Sequence, residues 1–237
     1  MIFDKNDIEV STLSKYIDFK DKTILEFCCG SAMYVNRLPQ TFKHYTGIDL
    51  DQQAIASASF NAKNKNAMFI CASATNFKYV KNFDICMGTL ALHEIDIKEQ
   101  GLALKNIIDH TKKNGLIVIY DPYIAKNCFQ ELWNIVYREF ISFERNFTIK
   151  NSEFVIDTAI KQGYLVKELE KKVNLPIEIE NMNEIYNMFL SCPDFKDTFK
   201  SQQNIIRLKT IVDNYFKENN ITNVIYDKLK LTILKKI

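Results

Sequence analysis

The sequence has no long apolar run. Its most apolar stretch of strand type, "GLIVIY" at 115–120, is far short of the ~20 residues that cross a bilayer. That excludes a helical membrane span. The opening residues, "MIFDKNDIEV", place acids where a signal peptide needs basic residues ahead of an apolar block. A cytoplasmic protein is therefore expected. Charge of one sign is missing too: 31 Lys and Arg against 29 Asp and Glu leave a formal charge of +2. That is too little to argue for a nucleic-acid surface, and local runs such as "KKNG" and "LKKI" read as solvated faces. The six cysteines, Cys28, Cys29, Cys71, Cys86, Cys128 and Cys192, include no C-x-x-C pair. They read as small buried hydrophobes in a reducing compartment, and no metal site is expected. No internal repeat and no linker rich in Pro, Gly or Ser divides the chain.

Hydrophobic residues make up 47% of the 237 and charged residues 25%, enough apolar surface for a substantial globular core. Periodicity gives the order of elements. Residues 5–18 have helical spacing, with Ile8, Val10, Leu13, Tyr16 and Ile17 on one face. "KTILEFC" reads as a strand, "SAMYVNRL" as a helix, "HYTGIDL" as a strand and "DQQAIASASFNAKN" as a helix that Asp51 caps. "NAMFICA" and "FDICMGTL" are strands. "IKEQGLALKNIIDHTKK" is an amphipathic helix stopped by Asn114-Gly115, and "LIVIYD" is a strand apolar on both faces. Helices follow over "CFQELWNIVYREFISF" and "NSEFVIDTAIKQGY". Then come a strand at "LVKELEKKV", a helical stretch of about 178–219 broken near Cys192-Pro193, and a closing strand in "NVIYDKLKLTILKK". Strand–helix alternation predicts an α/β, doubly wound, mostly parallel seven-stranded sheet of Rossmann-like type. The expected organisation is one domain over 1–237. Residues 1–20 form an N-terminal cover helix, 21–122 the ligand-binding core, and 123–150 with 174–222 a helical cover over the carboxyl ends of the strands.

In such a sheet ligands bind beyond those carboxyl ends, and "ILEFCCGSAM" (24–33) sits at one of them. Gly30 has no Cβ, so a ligand can approach its backbone closely. Against the dinucleotide pattern G-x-G-x-x-G, the sequence has Cys28, Gly30 and Met33, and methionine is a poor replacement for the last glycine. Against acidic-x-G-x-G-x-G it has Glu26, Cys28, Gly30 and Ala32. The next strand ends in "GIDLD", with Asp49 about 20 residues past the turn, where a carboxylate can hold two ribose hydroxyls. Leu50 follows, placed to lie against an adenine.

Residues 20–122 resemble the class I S-adenosylmethionine-dependent methyltransferases. The likeness is carried by "TILEFCCGSA", "YTGIDLDQQAIASA", "MFICASATNF", "FDICMGTLALHEI" and "LKNIIDHTKKNGLIVIYD", in the family's order and spacing. It implies S-adenosyl-L-methionine as cofactor. It implies that Glu26 orders the turn around the methionine amino group, and that backbone around Cys28 and Gly30 faces the cofactor. Asp49 would bind the ribose, Ser73 and Ala74 would border the adenine, and Gly88 and Thr89 would run beneath the methionine arm. Many relatives have an acid where Ser73 stands. The helical stretch between the last two strands resembles, in architecture alone, that of trans-aconitate methyltransferase.

His93, in "GTLALHEID", stands where similar enzymes often have histidine. A neutral imidazole there could be a general base toward a hydroxyl, amine or thiol; the other reading is a packing or loop-orienting role. Glu94 reads as a solvated or cap residue. "YDPY" at 120–123 looks like the D-P-P-Y signature of adenine-N6 methyltransferases, but follows the wrong strand and has one proline fewer. Tyr123 and, among the aromatics of the next helix, Trp133 are candidates for the substrate mouth. The leading expectation is methyl transfer to a small-molecule acceptor. An RNA or protein methyltransferase and a non-catalytic cofactor-binding protein are the alternatives. Acceptor atom and oligomeric state are not encoded in any motif.

Overall fold

Five of the strands in the first half of the chain pair in parallel, and most of their apolar side chains are buried. In the computed structural model, which describes residues 2–39, 41–63 and 66–237, a two-residue strand β1 (Ile2–Phe3) precedes helix α1 (Ile8–Tyr16). Strands β2 (Thr23–Phe27) and β3 (His44–Asp49) lead into helix α2 (Gln52–Asn61), then β4 (Ala67–Cys71) and β5 (Phe83–Thr89). Helix α3 (Ile97–His110) feeds β6 (Thr111–Pro122). Helices α4 (Phe129–Ile141) and α5 (Arg145–Lys161), strand β7 (Leu165–Glu178), helices α6 (Met182–Ser191) and α7 (Gln202–Glu218), and strand β8 (Val224–Lys236) complete the chain. Met1 and Asn64, at the ends of two expected elements, lie outside the described residues. No helix among the described residues is long and apolar enough to cross a membrane.

Seven strands are neighbours in the order β7-β8-β6-β5-β2-β3-β4, and β1 is an eighth beside β7. β2 lies inside the sheet, with Glu26 opposite Gly47 on β3 and opposite Met87 on β5, both pairs parallel. This is the expected Rossmann-like, mostly parallel sheet. Strand order reverses beside β2, which places the carboxyl ends of β2 and β5 at the switch point.

The chain divides into two compact units. The larger comprises 9–122, 148–173 and 230–237, with a core that includes Leu25, Phe27, Ile48, Cys86, Leu104, Ile117 and Leu234. The smaller comprises 1–8, 123–147 and 174–229. Its core is aromatic: Trp133 meets Phe189 edge-on at 4.5 Å and Tyr137 meets Phe195 at 4.9 Å. β1 pairs antiparallel with β7 inside this unit, Ile2 opposite Glu178.

Two local expectations are corrected. "SAMYVNRL" is a series of turns rather than a helix. Ala32 has φ 55°, Ala32 and Arg37 donate to carbonyls three residues back, and Leu38 donates to the Tyr34 carbonyl four back, so turns take the place of an α-helical ladder. Tyr34, Val35 and Leu38 are nevertheless buried, which accounts for their helix-like apolar spacing. Asn114-Gly115 does not stop α3, which ends at His110; the pair lies within β6. There the register jumps from Phe83–Thr111 to Ile85–Leu116, and Asn114 has φ 62°. A Cβ on Gly115 would meet the Lys112 carbonyl at 2.9 Å and that of Asp84 at 3.0 Å, so the bulge needs glycine there.

Candidate active site

The chain leaves β2 through a turn in which Cys28, Gly30 and Ala32 all have positive φ, at 52°, 52° and 55°. For a residue with a Cβ this conformation costs ~1–2 kcal/mol, so the surroundings must hold it. Asp49, at the end of β3, supplies part of that hold. Its Oδ2 accepts from the Gly30 N–H at 2.8 Å and its Oδ1 from the Asp51 N–H at 2.9 Å. Each carboxylate oxygen keeps acceptor capacity beyond these bonds. Asp51 in turn caps α2, accepting from the Gln53 and Ala54 N–H groups, as its sequence position predicts. A Cβ built on Gly30 would meet nothing within 4 Å, so the glycine borders open space at the strand end.

Glu26 lies one layer below, 1% exposed. The hydroxyls of Tyr45 on β3 and Thr89 on β5 donate to its carboxylate, Thr89 at 3.1 Å. Burial raises its pKa from 4.5 to about 8. The Thr89 hydrogen bond opposes that, and the charges of Asp49 and Glu9 add to it. Thr89 thus spends its hydroxyl on Glu26. Gly88 is required by packing, because a Cβ there would enter the Phe27 ring.

Above the turn is a cavity of about 400 Å³, bordered by Cys28, Asp49, Leu50, Ser73, Ala74 and Glu94, among others. Leu50 is 71% exposed and free to lie along a ligand. The Ser73 hydroxyl is within 2.8 Å of that of Thr75 and accepts from its N–H, which shapes the edge of the cavity. Burial raises the Cys28 thiol to about 12, with Asp49, Asp121, Glu26 and Glu94 adding to it, so it is a thiol at neutral pH and no ready nucleophile. Among the described lining residues Asp49, Glu94, Asp96 and Glu99 are acidic, and none is lysine or arginine. Such a cavity repels the diphosphate of a nicotinamide dinucleotide and suits an uncharged adenosine joined to a sulfonium cation.

At the end of β5 a short 3₁₀ turn (Leu92–Glu94) carries His93, which is 2% exposed. Asp121, buried at the end of β6, organises this turn. It accepts from the Ala91 N–H at 2.8 Å and the His93 N–H at 3.0 Å. Its Oδ1 also lies 3.2 Å from His93 Nδ1, close for an ion pair though off line for a hydrogen bond. On the other side, His93 Nε2 is 2.8 Å from Glu94 Oε1. Burial alone lowers the imidazole pKa. Asp121 and then Glu94 outweigh it and lift the value from 6.5 to about 9.

The larger unit therefore brings together Glu26, Cys28, Gly30, Asp49, Leu50, Ser73, Ala74, Gly88, Thr89 and His93. Tyr123 and Trp133 belong to the smaller unit. There the Tyr123 N–H donates to the Lys228 carbonyl, and Trp133 packs with Phe129, Tyr137 and the Arg145 guanidinium. Sequence reasoning read Glu94 as a solvated or cap residue and gave Asp121, within "YDPY", no role at the site. The only available sign was an acid at the end of an apolar strand, and its partners lie 28 and 30 residues away.

The family described as a methyltransferase domain matches residues 24–115. No curated protein matches the chain. Among solved structures, the YcgJ protein of Bacillus subtilis superposes with a TM-score of 0.67 at 16% identity, covering 98% of each chain. A putative methyltransferase from Bacillus halodurans gives 0.68 at 12% identity, over 96% of this chain and 98% of that one. The N-methyltransferase NodS from Bradyrhizobium japonicum, in complex with S-adenosyl-L-homocysteine, gives 0.54 at 14% identity, over 94% and 81%. Residues 24–115 match the methyltransferase-domain family, and the chain around them shares the fold of these solved structures.

Proposed function

We propose that the protein transfers a methyl group from S-adenosylmethionine to a small-molecule acceptor. The single observation that carries the cofactor site is the Gly30–Asp49 pair at the edge of an acidic cavity. In this reading Asp49 takes the ribose hydroxyls with its remaining lone pairs. Leu50, Ser73 and Ala74 border the adenine. Glu26, with the backbone around Cys28 and Gly30, receives the methionine end, and Gly88 and Thr89 lie beneath it. When bound, the cofactor supplies an electrophilic methyl carbon, and methyl transfer gains most from alignment of donor and acceptor.

His93 fits a positioning role better than that of a general base. An imidazolium flanked by two carboxylates has no lone pair with which to take a proton. The acceptor would then bring its own lone pair, as a thiol or amine does once ionised or neutral. His93→Ala, assayed with the true acceptor, separates the roles. A base gives a ~10²–10⁴-fold fall in turnover with cofactor affinity unchanged; a positioning residue moves both.

The small-molecule reading is supported by apolar bulk in residues 123–150 and 174–222, which we propose as the acceptor cover, with Tyr123 and Trp133 among its acceptor-facing side chains. Residues 1–20 would add to that cover and 21–122 would hold the cofactor. The likeness to trans-aconitate methyltransferase is part of the same reading. Cover segments move, so proteolysis within 174–222 should slow when S-adenosylhomocysteine and acceptor are both present. The acceptor class is tested by incubating the protein with labelled cofactor and separated small-molecule, RNA and protein fractions of a cell extract. Label in the small-molecule fraction supports the proposal. Label in RNA or protein moves the assignment to a macromolecule, and cofactor binding without label anywhere points to a binding protein.

A further inference from the structure

The lining of the proposed cofactor cavity includes Glu94, Asp96 and Glu99 besides Asp49, and one of these acids is aimed. Asp96 is occupied as the cap of α3, accepting from the Lys98 N–H at 2.8 Å. Glu99 lies on the exposed first turn of α3. Glu94 differs from both. Its side chain is half exposed toward the cavity, and its Oε1 is held 2.8 Å from the buried His93 Nε2. His93 is held in turn by Asp121 through its backbone N–H and its ring. Asp121 also accepts from the Ala91 N–H. The three side chains form a line from the end of β6, through a buried ring, to a carboxylate at the cavity wall. Fixing a surface glutamate in this way removes the rotamer freedom that a bound ligand would otherwise have to restrict.

We propose that Glu94 is a cofactor-binding carboxylate that accepts from a neutral N–H or O–H donor of the adenosine half, and that the buried Asp121–His93 pair is the positioning device that aims it. The proposal rests on the reading of this cavity as the cofactor site. It also accounts for a departure noted in the sequence: serine stands at 73, and Glu94, which lines the same cavity, supplies a carboxylate. A glutamate with one oxygen on His93 still has acceptor capacity on both. The groups facing His93 are Asp121 from β6 and Glu94 from its own turn. The aim is therefore kept while the ring is protonated and is lost as pH rises through about 9.

The test is calorimetric binding of S-adenosylhomocysteine to the full chain, Glu94→Ala, Asp121→Asn, the double variant and Asp49→Ala. Glu94 is half exposed, so Glu94→Ala should stay folded, with a melting temperature lowered only by the lost contact to His93. It should bind about 10- to 100-fold more weakly, the cost of a hydrogen bond to a charged group. Asp121→Asn should weaken binding in the parent background and add nothing once Glu94 is alanine. The gap between parent and Glu94→Ala should close above pH 9. Two analogues, one lacking the exocyclic adenine amine and one the ribose 2′-hydroxyl, identify the donor: the Glu94→Ala effect disappears for the analogue missing it. An equal effect with both analogues, or a Glu94→Ala protein that binds like the parent while Asp49→Ala is impaired, overturns the role of Glu94 and leaves the cavity assignment standing. Parent-like binding by both Glu94→Ala and Asp49→Ala overturns the cavity assignment itself.

Discussion

The N–H of Gly30 donates to the Asp49 carboxylate across 2.8 Å, joining the turn after β2 to the end of β3. The same carboxylate accepts from the Asp51 N–H and so also ties down the start of α2. A residue placed in the ribose role is thus already part of the turn that forms the cavity edge. Cofactor binding would add to bonds that exist rather than create the arrangement.

Asp49→Ala should therefore do two things at once. It removes a charged acceptor from two backbone donors, which should lower stability by ~1–3 kcal/mol and weaken S-adenosylhomocysteine binding about tenfold or more. Asp49→Asn, which keeps one acceptor oxygen, should fall between. Thermal melting and calorimetry on the same samples check both effects. Full stability with lost binding would show that the turn does not depend on this side chain.

Gly30 and Gly88 should fail in opposite ways when changed to alanine. At Gly30 the new Cβ meets no protein atom, and only the left-handed φ of 52° is penalised, by ~1 kcal/mol. Binding should suffer more than folding, and Gly30→Val should be worse on both counts. At Gly88 the new Cβ enters the buried Phe27 ring, so Gly88→Ala should destabilise the fold by ~1–3 kcal/mol. Denaturant unfolding set beside binding curves separates the two patterns.

Glu26 makes stability depend on pH. Its folded pKa of about 8 lies above its ordinary value of 4.5, so the native state holds the proton more tightly than the unfolded chain does. Stability is then greatest below 4.5 and declines as pH rises toward 8, the opposite of a salt-bridged carboxylate. Glu26→Gln should remove that decline and be more stable than the parent at the alkaline end. If the amino group of the cofactor approaches Glu26, binding near neutral pH should release a proton, read as a dependence of the heat on the ionisation enthalpy of the buffer. Parallel pH–stability curves for parent and variant would refute the buried, protonated carboxyl.

His93 also contributes on the acid side of its titration. Its pKa rises from 6.5 to about 9 on folding, so the stabilisation from Asp121 and Glu94 is fully present below 6.5 and lost as pH rises through 9. His93→Gln should be less stable than the parent at neutral pH, with a difference that shrinks above 9. Nuclear magnetic resonance titration of the ring gives the same answer directly, and a midpoint near 6.5 would contradict it.

Sequence alone determined the part of this protein that depends on short-range pattern. The apolar runs of β2 to β6 specify buried parallel strands because side chains on both faces must be covered. The spacing of Glu26, Gly30 and Asp49 can be read because one strand–turn–helix unit has a nearly constant length. Asp51 as the α2 cap could be read for the same reason. Tertiary structure decided the rest. The apolar spacing of Tyr34, Val35 and Leu38 suits a helix, yet left-handed residues at 28, 30 and 32, two of them with side chains, divert the chain into turns. Asn114-Gly115 reads as a helix stop, but pairing of Thr111 with Phe83 turns it into a strand bulge. The protonation of His93 could not be read at all. Its pKa is set by burial and by Asp121, 28 residues away along the chain, with the neighbouring Glu94 adding to it, and the first two exist only once β5 and β6 lie side by side.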